Sequence, residues 1–184
     1  MKKETIVHRG KTNKGKEIVV RYPTIEDLPE LLRYINELSR EQTFIRFQGE
    51  LLTEEEEKKY LADFIKKIQK GEGVKLLAFH KNQLVGVSDI YLEDKVSQHV
   101  GVFGITVAKD YRGEGVGKLL MTLVEQEAKK NMTKLKIIQL GVFGNNPTAC
   151  FMYERFGFKK YGKLPKGVKH RNEFVDHIYM YKEI

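Results

Sequence analysis

The chain has little of what staples, threads or anchors a protein. One cysteine, Cys150, in 184 residues excludes an internal disulfide framework and fits a reducing, cytoplasmic setting. With one thiol and five scattered histidines there is no metal-ligand spacing, so no metal is expected. No apolar run approaches the length of a membrane span, and the opening MKKETIVHRGKTNKGKE has no apolar signal core. Internal repeats and low-complexity linkers are absent. So are an RNP-type motif, a recognition helix and a basic run interleaved with aromatics, which argues against a nucleic-acid module.

What is present reads as a soluble globular domain, 41% hydrophobic and 32% charged, long enough to bury one core. The formal net charge of +8 admits a polyanionic cofactor, nucleic acid, an acidic partner or only a solvated surface. Residues 1–16 are polar and Lys-rich. They are expected as an extension, either a mobile tail or an added edge hairpin, ahead of one domain at 17–184.

EIVVRYPT reads as a strand. A helix follows, with Thr24 and Asp27 spaced as a capping box and an apolar stripe of Leu28, Leu31, Leu32, Ile35 and Leu38. SREQTFIRFQGELL reads as a loop. Thr53 and Glu56 then cap a second helix whose expected buried face is Tyr60, Leu61, Phe64, Ile65 and Ile68. VKLLAFHK and QLVGVSDIYLE form a hairpin turning at Lys81 and Asn82. SQHVGVFGITVA is a further strand, with a bulge expected at Gly101 or Gly104. A long helix from Gly115 to Lys130, the strand KIIQLGVFG, a short helix from Pro147 to Gly157 and the strand FVDHIYMYKEI complete the order. The implied class is α/β: a mixed, mostly antiparallel sheet flanked by about four helices. Its parallel pair is formed by the strands on either side of the long helix.

The glycines Gly113, Gly115 and Gly117 stand at alternate positions in VAKDYRGEGVGKLL, directly ahead of the long helix. A helix start offers free N–H groups and partial positive charge, and glycines let phosphate oxygens approach the backbone. Arg112 and Lys118 add charge beside it. The loop is not a Walker A motif, because Leu119 follows Lys118 where Ser or Thr is required and Arg112 occupies the first glycine position. It is not a dinucleotide fingerprint either, since the third glycine is missing.

What remains, R-x-x-G-x-G at Arg112, Gly115 and Gly117, resembles the signature loop of the GNAT superfamily of N-acetyltransferases. NNPTACFMYERFGF adds the pattern N-x-x-A-x-x-x-Y…GF at Asn146, Ala149, Tyr153, Gly157 and Phe158. The resemblance spans residues 17 to 184 and implies the GNAT fold with acetyl-CoA as co-substrate. It implies that backbone amides of Arg112, Gly113, Glu114, Gly115, Val116, Gly117 and Lys118 hold the pyrophosphate. It also implies that the pantetheine arm pairs with Ile105 and Val107 like an added strand, with an oxyanion donor near Thr106 or Val107. Asn146 would bond the arm and Tyr153 would return a proton to the thiolate; core packing is the other reading of Tyr153. Cys150 reads as a buried small hydrophobe.

The base is the open position. A lysine amine, with an ordinary pKa of about 10.4, is almost wholly protonated at pH 7. The strand HVGVFGITV carries no acid, which leaves Asp89, Glu93 and His99 as candidates, with Asp89 preferred. The acceptor is a protein amine or a small amine. It is expected between the first loop, with Ser39, Arg46 and Phe47, and a second loop whose Lys163, Lys166, Lys169, His170 and Arg171 form a basic patch. Two further readings stay open, a CoA-binding sensor without catalysis and a basic nucleic-acid binder. A homodimer is compatible with the family resemblance.

Overall fold

The structure, a computed structural model, describes residues 5–184; residues 1–4 of the expected extension lie outside that range. The chain runs β1 (Ile6–Lys11), β2 (Glu17–Arg21), α1 (Leu28–Arg40), α2 (Glu54–Gln69), β3 (Gly73–His80), β4 (Gln83–Leu92) and β5 (Val100–Val107). It continues through α3 (Val116–Asn131), β6 (Ile137–Phe143), α4 (Pro147–Arg155), β7 (Lys159–His170) and β8 (Glu173–Glu183). Among the described residues the strands form one sheet in the order β1-β2-β3-β4-β5-β6-β8-β7. Only the β5–β6 pair is parallel; all other neighbours are antiparallel.

Local chemistry sets the helix ends. The Thr53 N–H donates to Glu56 Oε2 at 2.8 Å and the Glu56 N–H donates to Thr53 Oγ1 at 3.3 Å, closing the expected capping box. Glu54 to Glu57 sit at the positive end of α2, and Lys66 and Lys67 at the negative end. Pro147 opens α4, and Gly157, at φ 89°, follows its end.

The sheet is covered on both faces. On one side α3 and α4 pack on Val74, Leu76, Ile90, Phe103, Ile138 and Met180. On the other, α1 and α2 pack on Leu77, Phe79 and Leu84. β3 is therefore buried almost end to end, which is why its apolar residues do not alternate with exposed ones and why even its Lys75 is buried.

Four expectations change. In α1 the buried stripe is Leu28, Leu31, Tyr34 and Leu38; Tyr34, not Ile35, faces the sheet. In α2, Tyr60 is 47% exposed, while Glu57 is buried. The second acceptor loop is largely strand β7. Its composition hides it because it is an edge strand, exposed along most of its length, with Pro165 at a break in the β7–β8 register. The β4–β5 register runs without a shift, so neither Gly101 nor Gly104 makes a bulge there.

Gly101 serves packing instead. A Cβ there would lie 2.6 Å from Leu135 Cδ1 and 2.8 Å from Ile90 Cγ2. Gly101→Val should overpack this contact and lower unfolding free energy by ~1–3 kcal/mol, read as an earlier urea midpoint with an unchanged slope.

Candidate active site

β5 and β6 pair only at Val100–Ile137, Gly101–Ile138 and Val102–Gln139, although β5 continues to Val107 and β6 to Phe143. Beyond Val102 the two strands diverge. The direction of the freed groups follows from alternation along a strand. The Ala108 N–H donates to Val85 O, and Val100 O accepts from the Glu93 N–H, so even-numbered residues bond toward β4. His99 O accepts from the Lys136 N–H, so odd-numbered residues face β6. The main-chain groups of Phe103, Ile105 and Val107 therefore face the gap.

The glycine loop closes the wide end of this gap. Gly113 and Gly115 hold φ of 72° and 87°, left-handed conformations that other residues adopt at a cost. Gly115 is the N-cap of α3, and no side chain caps that helix. The first N–H groups of α3 lack intrahelical acceptors and carry its positive end. A Cβ at Gly113 would meet nothing within 4 Å, so the backbone there is open to a ligand, whereas Gly117 packs toward Val107 and Ile105. This cradle suits a diphosphate, and the gap suits an extended amide arm.

The loop's side chains are committed elsewhere. Arg112 turns back to donate from Nε to Val107 O at 2.9 Å and from both outer nitrogens to the Glu41 carboxylate, Nη2 at 2.8 Å. It links the end of α1 to the end of β5. Glu114, 1% exposed, points under the loop rather than into the gap. Its Oε1 takes a hydrogen bond from Lys16 Nζ at 2.8 Å, and its carbonyl accepts from the Asn13 N–H at 2.9 Å. Lys14 lies 3.5 Å from the same carboxylate. The tip of the β1–β2 hairpin is thus docked on the glycine loop, with the Asn13 amide 3.0 Å from where a Gly115 Cβ would stand. Hairpin and helix start enclose a depression of about 400 Å³ lined in part by Lys11, Asn13 and Lys118.

The motif residues of α4 sit on the α3/α4 face. Asn146 Oδ1 caps α4 by accepting from the Ala149 N–H at 3.1 Å. Tyr153 is 8% exposed and packs edge-on against Phe103 and Phe158. Burial pushes its hydroxyl well above the ordinary value, so it keeps its proton at neutral pH. Cys150 is a buried thiol, and burial raises it too.

The opposite face carries groups that pattern reading missed. The Tyr34 hydroxyl donates to Thr106 Oγ1 at 3.0 Å, tying α1 to β5. The spacing of Leu31, Tyr34 and Leu38 was the available signal. The expected base Asp89 is held by buried Lys75, with Oδ2 2.7 Å from Nζ, and Tyr60 adds a contact to the same ammonium at 3.3 Å. Burial alone would lower Lys75, but Asp89 and Tyr60 outweigh it and raise its affinity for the proton. Glu93 and His99 lie at the closed end of the β5–β6 pair, His99 roughly 20 Å along the strand from Ile105. Neither reaches the gap.

The acceptor-side loops also differ from a simple basic patch. Ser39 is fully buried, donating to Glu50 O and accepting from the Gly49 N–H at 3.1 Å, so it staples the first loop. Arg46 lies over the Phe47 ring. His170 is buried at 3% exposure; Nδ1 is 3.0 Å from Asn145 Nδ2 and Nε2 is 3.0 Å from Gln42 O. With Arg171 Nε on the same carbonyl at 3.2 Å, it fastens the β7–β8 turn to the α1–α2 loop. Lys163 pairs with Asp176 at 3.2 Å, leaving Lys166 and Lys169 as exposed cations there.

A sheet opened along its one parallel pair, with an uncapped helix start at the open end, defines an α/β protein built to hold an extended, phosphate-bearing ligand. The model of the Acetyltransferase (GNAT) family matches residues 32–158, and the chain belongs to that family. It is 34% identical over 82 residues to the spermine/spermidine N(1)-acetyltransferase of Bacillus subtilis (strain 168), covering 44% of this chain and 53% of that protein. The chain therefore spans about half the length of that curated relative. It is 32% identical over 110 residues to the L-amino acid N-acetyltransferase AaaT of Escherichia coli (strain K12), covering 59% of this chain and 67% of that protein. The crystal structure of a GNAT-family acetyltransferase from Streptococcus pneumoniae superposes with a TM-score of 0.83 at 28% identity, covering 91% of this chain and 99% of that one.

Two outcomes test this geometry. Asp89→Asn leaves the Lys75 ammonium buried without its counter-charge and should cost ~3–5 kcal/mol in chemical denaturation, while a Lys75→Met/Asp89→Leu pair should recover most of it. Lys16 holds the Glu114 carboxyl below its ordinary value of 4.5. The hairpin lock is then complete above that pH and released as pH falls through the lower folded value. Protection of the Asn13 amide, corrected for intrinsic exchange, should collapse on acidification before that of β3.

Proposed function

We propose that this protein transfers an acetyl group from acetyl-CoA to a primary amine. One observation carries the reading: the free edge of β5 runs straight into an uncapped, glycine-opened start of α3. The amide groups of Ile105 and the N–H of Val107 would pair with the pantetheine arm, and Gly113 to Lys118 would take the diphosphate on backbone N–H groups. The free Nδ2 of Asn146, whose Oδ1 is spent on the cap, suits an acceptor on the arm. Acetyl-CoA supplies an activated acyl group as a thioester.

The chain's own groups then divide the work. An N–H at the gap-facing edge of β5 stabilises negative charge on the carbonyl oxygen. Tyr153, protonated and buried beside Phe103, donates to the departing sulfur. Arg112 acts through position: by gripping Val107 O and Glu41 it fixes where β5 ends and the cradle begins. Asp89 belongs to the Lys75 pair in this reading, because accepting a proton would dissolve a buried ion pair.

The acceptor would reach the gap from the α1/α2 face. The exposed Lys166 and Lys169 and the net charge of +8 favour a neutral or acidic amine, such as an amino acid or a protein N-terminus, over a polycation. The named relatives act on polyamines and on L-amino acids. The single thiol supports a cytoplasmic setting, and no described helix is long and apolar enough to cross a membrane. A CoA-binding sensor is the second reading, favoured by the absence, among the described residues, of a free carboxylate at the gap.

Calorimetry should show acetyl-CoA binding in the micromolar range, about −8 kcal/mol. Tyr153→Phe should keep that affinity and lose ~10²-fold in kcat with the best amine from a panel of amino acids, peptides and polyamines. No binding heat up to millimolar acetyl-CoA would overturn the reading; binding without CoA release from any amine would leave the sensor.

A further inference from the structure

The transfer needs a proton acceptor on the amine's side of the gap, and the carboxylates of the neighbouring strands are paired or distant. One imidazole is neither. His177 lies in β8, opposite Phe143 of β6 and Leu164 of β7. Alternation places it on the α1/α2 face, because its neighbours Ile178 and Met180 pack into the α3/α4 core. Its ring leans back over β6. A Cβ on Gly141 would stand 2.2 Å from His177 Nε2 and 2.8 Å from Cε1, so the missing side chain of Gly141 makes the room the imidazole fills.

Gly141 lies on the stretch of β6 that has left β5, two residues past the last pair. Its level on β5 corresponds to Gly104, which likewise offers no side chain to this face. Two glycines thus clear the sheet surface on either side of the opening, and His177 overhangs the β6 side. Thr106, bonded to Tyr34, marks the β5 side on the same face.

We propose that His177 is the general base that takes the proton from the acceptor ammonium. This rests on the acetyl-transfer reading above. The N–H bond of the ammonium breaks toward a ring nitrogen of His177, and the freed lone pair forms the N–C bond to the acetyl carbon. The C–S bond then breaks, and its electron pair stays on sulfur, which is protonated from Tyr153. The acylated nitrogen gives up its second proton to solvent, leaving the neutral amide. His177 returns its proton to solvent and Tyr153 regains one, so one proton is released overall.

The surroundings fit a base. The ring touches Phe143 and Tyr179, with centroids at 6.4 and 4.5 Å. Among the described residues its nitrogens have no hydrogen-bond partner. The nearby charges are spent on one another: Asp176, next along β8, takes Lys163 at 3.2 Å and the Lys166 N–H at 3.1 Å. His170, which shares Phe143, is bonded at both nitrogens. Tyr179 is the titratable group in direct ring contact. Burial lowers the His177 pKa below its ordinary 6.5, so at neutral pH the ring is free to accept a proton.

The test compares wild type, His177→Gln and His177→Ala/Gly141→His, the last moving the imidazole to β6 in the same volume. Thermal melts and acetyl-CoA calorimetry check that each variant folds and loads. Wild-type kcat should rise with pH along a limb below 6.5, and His177→Gln should lose that limb and ~10²-fold in kcat at pH 7 with cofactor affinity unchanged. The relocated imidazole should restore at least tenfold. Independently, adding the acceptor amine to the CoA-bound protein should shift one histidine ring resonance that His177→Gln lacks. An unchanged pH profile and rate in a folded, loaded His177→Gln would overturn the assignment while leaving acetyl transfer standing. Loading without turnover in wild type would overturn the transfer reading and this base with it.

Discussion

A strand that stops pairing halfway along its length must satisfy its backbone in some other way. β5 does this twice over: its first three residues pair with β6, and its last five have β4 on one side and a gap on the other. Buried main-chain groups without partners are costly, each roughly 1–3 kcal/mol when left bare. The divergence is therefore a standing demand for an extended ligand with its own amides. The neighbouring features follow from it. α3 begins a short turn beyond the end of β5, and its first N–H groups lack intrahelical acceptors. Strand edge and helix start together make one continuous surface for a ligand that is amide-like at one end and anionic at the other.

Charge pairing keeps that surface clear. A chain with +8 net charge could crowd an anion site with mobile lysines, yet the cations nearest the cradle are mostly assigned. Arg112 is held by Glu41, and Lys16 by Glu114. Exposed Lys118 remains at the first turn of α3. Held this way, the backbone rather than side chains presents the cradle, and the loop's φ values are over-determined by anchors on three sides: α1, β5 and the hairpin tip.

The split between what pattern reading recovered and what it missed follows contact range. Thr53 and Glu56, Pro147 and Gly157, and the glycine turn ahead of α3 signal through neighbours a few residues away, so these helix ends are legible from spacing. The fold class and the parallel pair followed from element order. Partners brought together by the sheet were invisible. Asp89 looked like a free carboxylate because Lys75, 14 residues earlier, faces it only through the β3–β4 register. His170 read as one cation in a basic loop because Gln42, 128 residues away, claims its ring. β7 vanished into a Lys-, Gly- and Pro-rich segment, since an edge strand exposed on most sides has no reason to alternate. His177 alternates with Tyr179 and Tyr181, but nothing local says that Gly141 has left room for it.

The two faces of the sheet give the proton traffic a direction. Tyr153 belongs to the α3/α4 side, seated against Phe103, an odd-numbered residue of β5. Thr106 with Tyr34, Gly104 and His177 over Gly141 belong to the other side. A hydroxyl that burial keeps protonated and an imidazole that burial keeps neutral are poised for opposite tasks by the same cause, desolvation, acting on groups of opposite charge type. Placed on one face, they would exchange the proton with each other. Separated by the thickness of the sheet, with a gap through it, they would in the proposed reaction act on whatever spans that gap, the amine on one side and the sulfur on the other.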